Sequence, residues 1–132
     1  MTPSESSAGP VSEAERIAAA QAYIDALVSH DASAVPFAPH CTRTEIGLKT
    51  GFSGKQMRRD LDRGPQYRVI KSISTPEFTV SGDEIRARFE LLTKPSLAGR
   101  RVGARIDETF VIPESDGLIH RITASIRPFL SR

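Results

Sequence analysis

The spacing of apolar residues changes about a third of the way along the chain. From Glu13 to about His30 they recur three and four apart, at Ala20, Tyr23, Ile24, Leu27 and Val28, the stripe of a helix buried on one side. Ser12 followed by Glu15 has the spacing of a capping box and marks where that helix starts. Asp31 then stands before a short helical turn predicted from Ala32 to about Phe37, bent by Pro36 and Pro39 and leading into a strand from Cys41 to Leu48. The pairs Thr50-Gly51 and Ser53-Gly54 break the chain, and a second, shorter helix is predicted from Lys55 to Asp62, ended by Gly64-Pro65. Beyond it the pattern alternates with period two. Strands are predicted over Tyr67 to Ile73, Glu77 to Val80, Ile85 to Thr93, Val102 to Ile112 and Leu118 to Ile126, with Ser81-Gly82-Asp83 and Ser115-Asp116-Gly117 as turns.

Helices followed by a run of hairpins imply an α+β domain with helices packed on one face of a mostly antiparallel sheet. If the sheet is strongly curved around the first helix, the domain is cone-shaped and encloses a pocket where distant residues meet. The chain of 132 residues has the size of one domain and can bury a core without staples. Residues 13–132 are expected to form it, preceded by a disordered Ser- and Pro-rich tail over residues 1–12.

Charge narrows the function classes. The formal net charge is +2 and there is no Trp. The basic residues from Lys55 to Lys71 are interrupted by Asp60 and Asp62 and lack interleaved stacking aromatics, so nucleic acid is not an expected partner. The N-terminal segment has no apolar core, so neither a signal peptide nor a membrane anchor is expected. Cys41 is the only cysteine, which excludes an intrachain disulfide and fits a cytoplasmic protein. His30, His40 and Cys41 match no zinc spacing, so no metal and no cofactor are expected.

Two residues stand out chemically. Tyr23 lies on the inward stripe of the first helix, and Glu45 is the only acid between Asp31 and Asp60, among Val35, Phe37, Ala38, Ile46 and Leu48. One reading is a phenol and a carboxylate facing one apolar hollow; the other is a core tyrosine and a solvated surface glutamate.

The helix QAYIDAL, the turn-to-strand PFAPHCTRTE and the closing hairpin RIDETFVIPESDGLIHRI are similar to the nuclear transport factor 2-like, or SnoaL-like, superfamily, over nearly all of the chain after Ser12. Within it the SHD, PFAP and TEIG segments most resemble an uncharacterised bacterial and fungal group, with Ile46 in place of the usual Asn. The resemblance implies the cone-shaped fold and a homodimer formed through an outer sheet face carrying Arg86, Arg88 and Glu90. A second resemblance, to ketosteroid isomerases, puts their oxyanion-hole tyrosine at Tyr23, their general base at Glu45 and their neutral acid at Asp107. Arg105 argues against the last. In a regular strand it shares a side with Asp107, and a guanidinium there would keep Asp107 ionised.

Arg88-Phe89-Glu90 resembles part of the Arg-x-Asp set of limonene epoxide hydrolases, although the second acid expected near Thr123 to Ser125 is missing. Polyketide cyclases and scytalone dehydratase, which share the fold, use His and Asp pairs, but alternation places His120 with Leu118 and Ile122 as a satisfied, half-buried histidine. The resulting expectation is a small hydrophobic molecule in a pocket lined by Leu27, Phe37, Phe89 and Arg105, with Tyr23, Glu45 and Asp107 as candidate catalytic residues. The activity would be that of an isomerase, cyclase or dehydratase on a carbonyl compound. The alternative is a non-catalytic ligand-binding or dimerisation module.

Overall fold

The computed structural model describes residues 9–131, without the side chains of Pro95 and Leu97. The chain runs α1 (Glu13–Ser29), β1 (Phe37–Glu45), β2 (Leu48–Gly51), α2 (Gly54–Arg63), α3 (Pro65–Arg68), β3 (Ile70–Ile73), β4 (Glu77–Ser81), β5 (Glu84–Leu97), β6 (Arg100–Val111) and β7 (Ile119–Ser131). This is the expected α+β architecture. One seven-stranded sheet has the order β2-β1-β7-β6-β5-β3, with β4 also on β5. All pairings are antiparallel except β1 with β7.

The capping box forms as read: the Ser12 side chain accepts from the Glu15 backbone amide and the Glu15 side chain reaches back to Ser12. Ala20, Tyr23, Ile24 and Leu27 are buried and meet Ile85, Phe89, Ile106, Phe110 and Ile122 from the sheet in one core. Arg16, also buried, ties α1 to the strands by donating to the carbonyls of Ile112 at 2.6 Å and Gly82 at 2.5 Å. Such burial of a guanidinium is sustained by donating to carbonyls that would otherwise be unpaired.

Several local expectations are corrected. The helical turn expected from Ala32 to about Phe37 is reduced to a single turn, in which the Val35 N–H donates to the Ala32 carbonyl at 3.1 Å, and β1 begins at Phe37. Pro39 fits inside β1 because the pairing with β7 shifts register between Phe37 and Thr42, where no regular ladder bond is needed. The strand expected from Cys41 to Leu48 is split by a two-residue turn at Ile46 and Gly47, with φ of 52° and 76°. Positive φ at both central residues is the geometry that joins twisted antiparallel strands tightly, and Ile46 adopts it despite its branched side chain. Tyr67 and Arg68 belong to α3 instead of a strand, because Pro65 starts a new helical turn after Gly64. The three long strands also extend further than alternation implied, β5 and β6 meeting at a tight Ala98-Gly99 turn.

Residues 9–12 of the segment expected as a tail are described. Val11 donates its backbone N–H to the Glu114 carbonyl at 2.8 Å, while residues 1–8 lie outside the described residues.

Candidate functional site

Between α1, α3 and the concave face of the sheet lies a cavity of about 260 Å³. Leu27, Ile70, Phe89, Leu91, Ala104, Ile106, Ala124 and Ile126 are among its apolar walls, and Tyr23, Glu45, Tyr67 and Glu108 are its ionisable lining. Mostly apolar walls with a few converging polar groups are typical of small-molecule sites.

Of the residues singled out in the sequence, Tyr23, Glu45, Leu27 and Phe89 line this cavity. Phe37 does not. It packs edge-on against the Tyr23 ring, with centroids 6.1 Å apart, and lies beneath the Arg58 guanidinium as part of the core.

Asp107 and Arg105 project from the opposite face of β6. Asp107 accepts from Arg86 at 2.8 and 2.5 Å and has Arg88 at 3.6 Å, and the Arg86 hydrogen bonds hold its carboxyl below the usual range. It is an ionised surface carboxylate, not the buried neutral acid of the analogy. The ion pair expected with Arg105 is replaced by one with Arg86, while Arg105 pairs with Glu90 at 3.2 Å and stacks on Phe129. Arg88 and Glu90 are exposed on the same outer face, which separates the two charged residues of the epoxide-hydrolase-like triplet from the cavity. His120 is exposed too, bonded to Asp116 at 2.7 Å, and not half-buried as alternation suggested.

Glu108, the next residue along, occupies the inward position that the analogy gave to Asp107. It is 3% exposed, its Oε1 has no hydrogen-bond partner among the described residues, and it lines the cavity. Burial, reinforced by the nearby Glu45 charge and only partly opposed by Arg43, raises its pKa to about 8. At neutral pH it is therefore mostly a protonated acid able to donate a hydrogen bond. The sequence did carry a signal for this: two-residue alternation groups Glu108 with Ile106 and Phe110, both buried.

Arg43 is a second residue that sequence reading passed over. It is 1% exposed, although it sits two positions before Glu45 on the same strand face. Gly51 opposite makes room, since a Cβ there would lie 2.7 Å from the Arg43 Cβ. Its Nε donates to Thr50 Oγ1 at 3.0 Å and its Nη2 to the Thr50 carbonyl at 3.2 Å, while Nη1 reaches the Tyr23 hydroxyl at 3.4 Å. Asp60 from α2 lies 3.5 Å from Nη2, Glu45 3.8 Å from Nε, and the Tyr67 ring centroid 5.4 Å from the guanidinium carbon.

Thr50 Oγ1 in turn donates to Glu45 Oε1 at 3.0 Å. One buried cation thus lies behind the polar end of the cavity, beside Glu45. Tyr23 accepts from Arg43, which leaves its own proton free to donate, and burial first, then the proximity of Glu108, keeps the phenol protonated far above neutral pH. Cys41 is buried with its thiol pKa pushed up by burial to about 12, so it is no nucleophile.

Residues 10–126 match a family described as a domain of unknown function, DUF8021. The chain belongs to that family. Curated proteins give no match to its sequence. Among solved structures, a de novo designed protein with a curved β-sheet is similar with a TM-score of 0.68 at 13% identity, covering 88% of each chain. An M. tuberculosis LEH-like epoxide hydrolase is similar with a TM-score of 0.67 at 16% identity over 86% of this chain and 83% of its own. A SnoaL-like protein of Jannaschia sp. CCS1, assigned as a polyketide cyclase, has a TM-score of 0.65 at 12% identity over 86% of each chain. The DUF8021 chain therefore has the nuclear transport factor 2-like, SnoaL-like fold. Such a fold supports enzymes, and its activity must be argued from the site.

Proposed function

We propose that this DUF8021 protein binds a compact, mostly apolar carbonyl compound in its cavity and moves a proton on it. The observation that carries the reading is that two carboxyls in different surroundings line one apolar hollow. Glu45 is placed beside Arg43 and Thr50, whereas Glu108 is held mostly neutral by burial. Glu45 removes a proton from the carbon next to the carbonyl, and the electron pair moves onto the carbonyl oxygen. Tyr23 and protonated Glu108 donate hydrogen bonds to that oxygen as charge develops, and Glu45 returns the proton at another carbon. The product is an isomer of the substrate; otherwise the enolate carbon adds to a second carbonyl of the substrate, whose oxygen takes the proton from Glu45, or the enolate expels a β-hydroxyl that takes that proton and leaves as water. The epoxide hydrolase and the SnoaL-like protein sharing the fold are consistent with chemistry in such a cavity.

The test is deuterium uptake by isophorone, a compact apolar enone, in deuterium oxide, followed by proton NMR. The wild type should exchange it faster than buffer, and Glu45→Gln should fall to the buffer rate with affinity within a few-fold. Equal exchange by Glu45→Gln overturns the reading. Binding without exchange by the wild type favours the non-catalytic ligand-binding module instead. The reading also includes two-fold pairing through the outer face of Arg86, Arg88 and Glu90, and a monomer by light scattering would remove that part.

A further inference from the structure

The Tyr67 hydroxyl is the second buried polar atom of the cavity lining, after Glu108 Oε1, that has no partner among the described residues. Tyr67 is 6% exposed. Its position comes from the chain break at Gly64-Pro65, which starts α3 and brings the side chain over the cavity, where the Arg43 guanidinium lies 5.4 Å from its ring centroid. The ring is thus fixed from behind by a cation, while the hydroxyl finds no protein acceptor. Burial raises its pKa well above the usual value for a phenol, the Arg43 charge opposing only in part, so the group remains an O–H donor throughout the physiological range. Leaving such a donor buried and unpaired is unfavourable, and its pairing is what a complementary ligand would supply.

From these groups we infer that Tyr67 is a specificity-determining residue that donates to a second oxygen of the ligand, so that the preferred compounds are compact apolar molecules carrying two oxygen acceptors. This rests on the proposed function, in which the first ligand oxygen is met by Tyr23 and Glu108. The polar end then offers O–H donors from Tyr23, Tyr67 and protonated Glu108, and a single accepting carboxylate from Glu45. Such an excess of donors matches a ligand with two carbonyls, or a carbonyl and an ether, better than a monoketone. With a monoketone the Tyr67 hydroxyl stays unpaired, and a site built to hydrogen-bond an atom discriminates against analogues that lack it.

Isophorone and ketoisophorone share one ring skeleton and differ by the second carbonyl. Each is titrated into the wild type, Tyr67→Phe and Glu45→Gln, following the amide resonances of Ala104 and Ala124 in the cavity wall. The wild type should bind ketoisophorone about tenfold more tightly than isophorone. Tyr67→Phe, which keeps the ring against Arg43, should erase that preference, leave isophorone affinity within about twofold and unfold at the same or a higher temperature than the wild type, since it deletes an unpaired buried hydroxyl. A preference that survives Tyr67→Phe, a wild type that binds the two alike or binds neither, or a clear loss of thermal stability in Tyr67→Phe would each overturn the inference. If the preference is lost in Tyr67→Phe but Glu45→Gln exchanges isophorone as the wild type does, the recognition role stands and the proton-transfer reading fails.

Discussion

Glu45 and Glu108 stand in register with the same residue, Ala124, Glu45 from β1 on one side and Glu108 from β6 on the other. Two strand spacings put their backbones roughly 9–10 Å apart, and the alanine between them leaves the space on the cavity side open. Their charges are coupled: the Glu45 charge is among the causes that raise the Glu108 pKa.

Burial first, and the Glu45 charge after it, make the stability depend on pH. The Glu108 pKa is about 8 in the folded protein against an ordinary value of 4.5, so between those values the folded state holds a proton that the unfolded state has released. Stability contributed by this group is fully present below about pH 4.5 and is lost as pH rises through 8. The slope is at most about 1.4 kcal/mol per pH unit. Glu108→Gln, neutral at every pH and of similar shape, should flatten the curve of urea-unfolding free energy against pH in that window. A slope unchanged by the substitution would mean that Glu108 is ionised in the fold.

Asp107→Asn separates the outer face of β6 from the inner one. It breaks the exposed pair with Arg86 and should lower the unfolding temperature only slightly. Deuterium exchange of isophorone should stay within twofold of the wild type, while Glu108→Gln reduces it. Loss of exchange in Asp107→Asn with Glu108→Gln unaffected would return the acid role to Asp107.

Arg43 serves Tyr23, Thr50, Asp60 and Glu45 at once. Arg43→Met leaves Glu45 and Asp60 without a cation and should destabilise the domain by about 2–4 kcal/mol, less than the loss from a fully buried pair because both carboxylates keep some exposure. Arg43→Lys should recover only part of it, since one ammonium cannot span the same set of partners. Thermal unfolding of both variants measures this, and a near-neutral Arg43→Met would show that the network adds little.

Ala104 lines the cavity from β6. Ala104→Leu should extend into open space, abolish detectable ketoisophorone binding and change the unfolding free energy by less than about 1.5 kcal/mol, because the added methyls fill a void in place of displacing packed atoms. A drop well beyond that would mean the space at this wall is already occupied by side chains.

Much of this was legible in the residues themselves. The stripe from Ala20 to Leu27 fixed both the helix and the inward direction of Tyr23, because a period of 3.6 leaves no other face to bury. Isolation of Glu45 among apolar residues pointed to the cavity that it lines. Alternation also paired Asp107 with Arg105 on one side of β6, correctly. Ile106 and Phe110 also marked the other side, that of Glu108, as the inward one, but the analogy, by matching Asp107, chose the wrong side.

By itself the sequence determined the helix face, the alternating strands and most of the element order, and it singled out Tyr23 and Glu45 while leaving open whether they face one hollow. Only the tertiary structure decided that Glu108 is shut off from water beside the cavity, that Arg43 is buried behind Glu45, and that Tyr67 turns from a predicted strand into a helical turn over the cavity. Local pattern encodes period and direction along one element. Which carboxyl is deprived of water, and which cation lies beside it, depends on β2, α2 and α3 folding across strands distant in sequence, and desolvation exists only once they do.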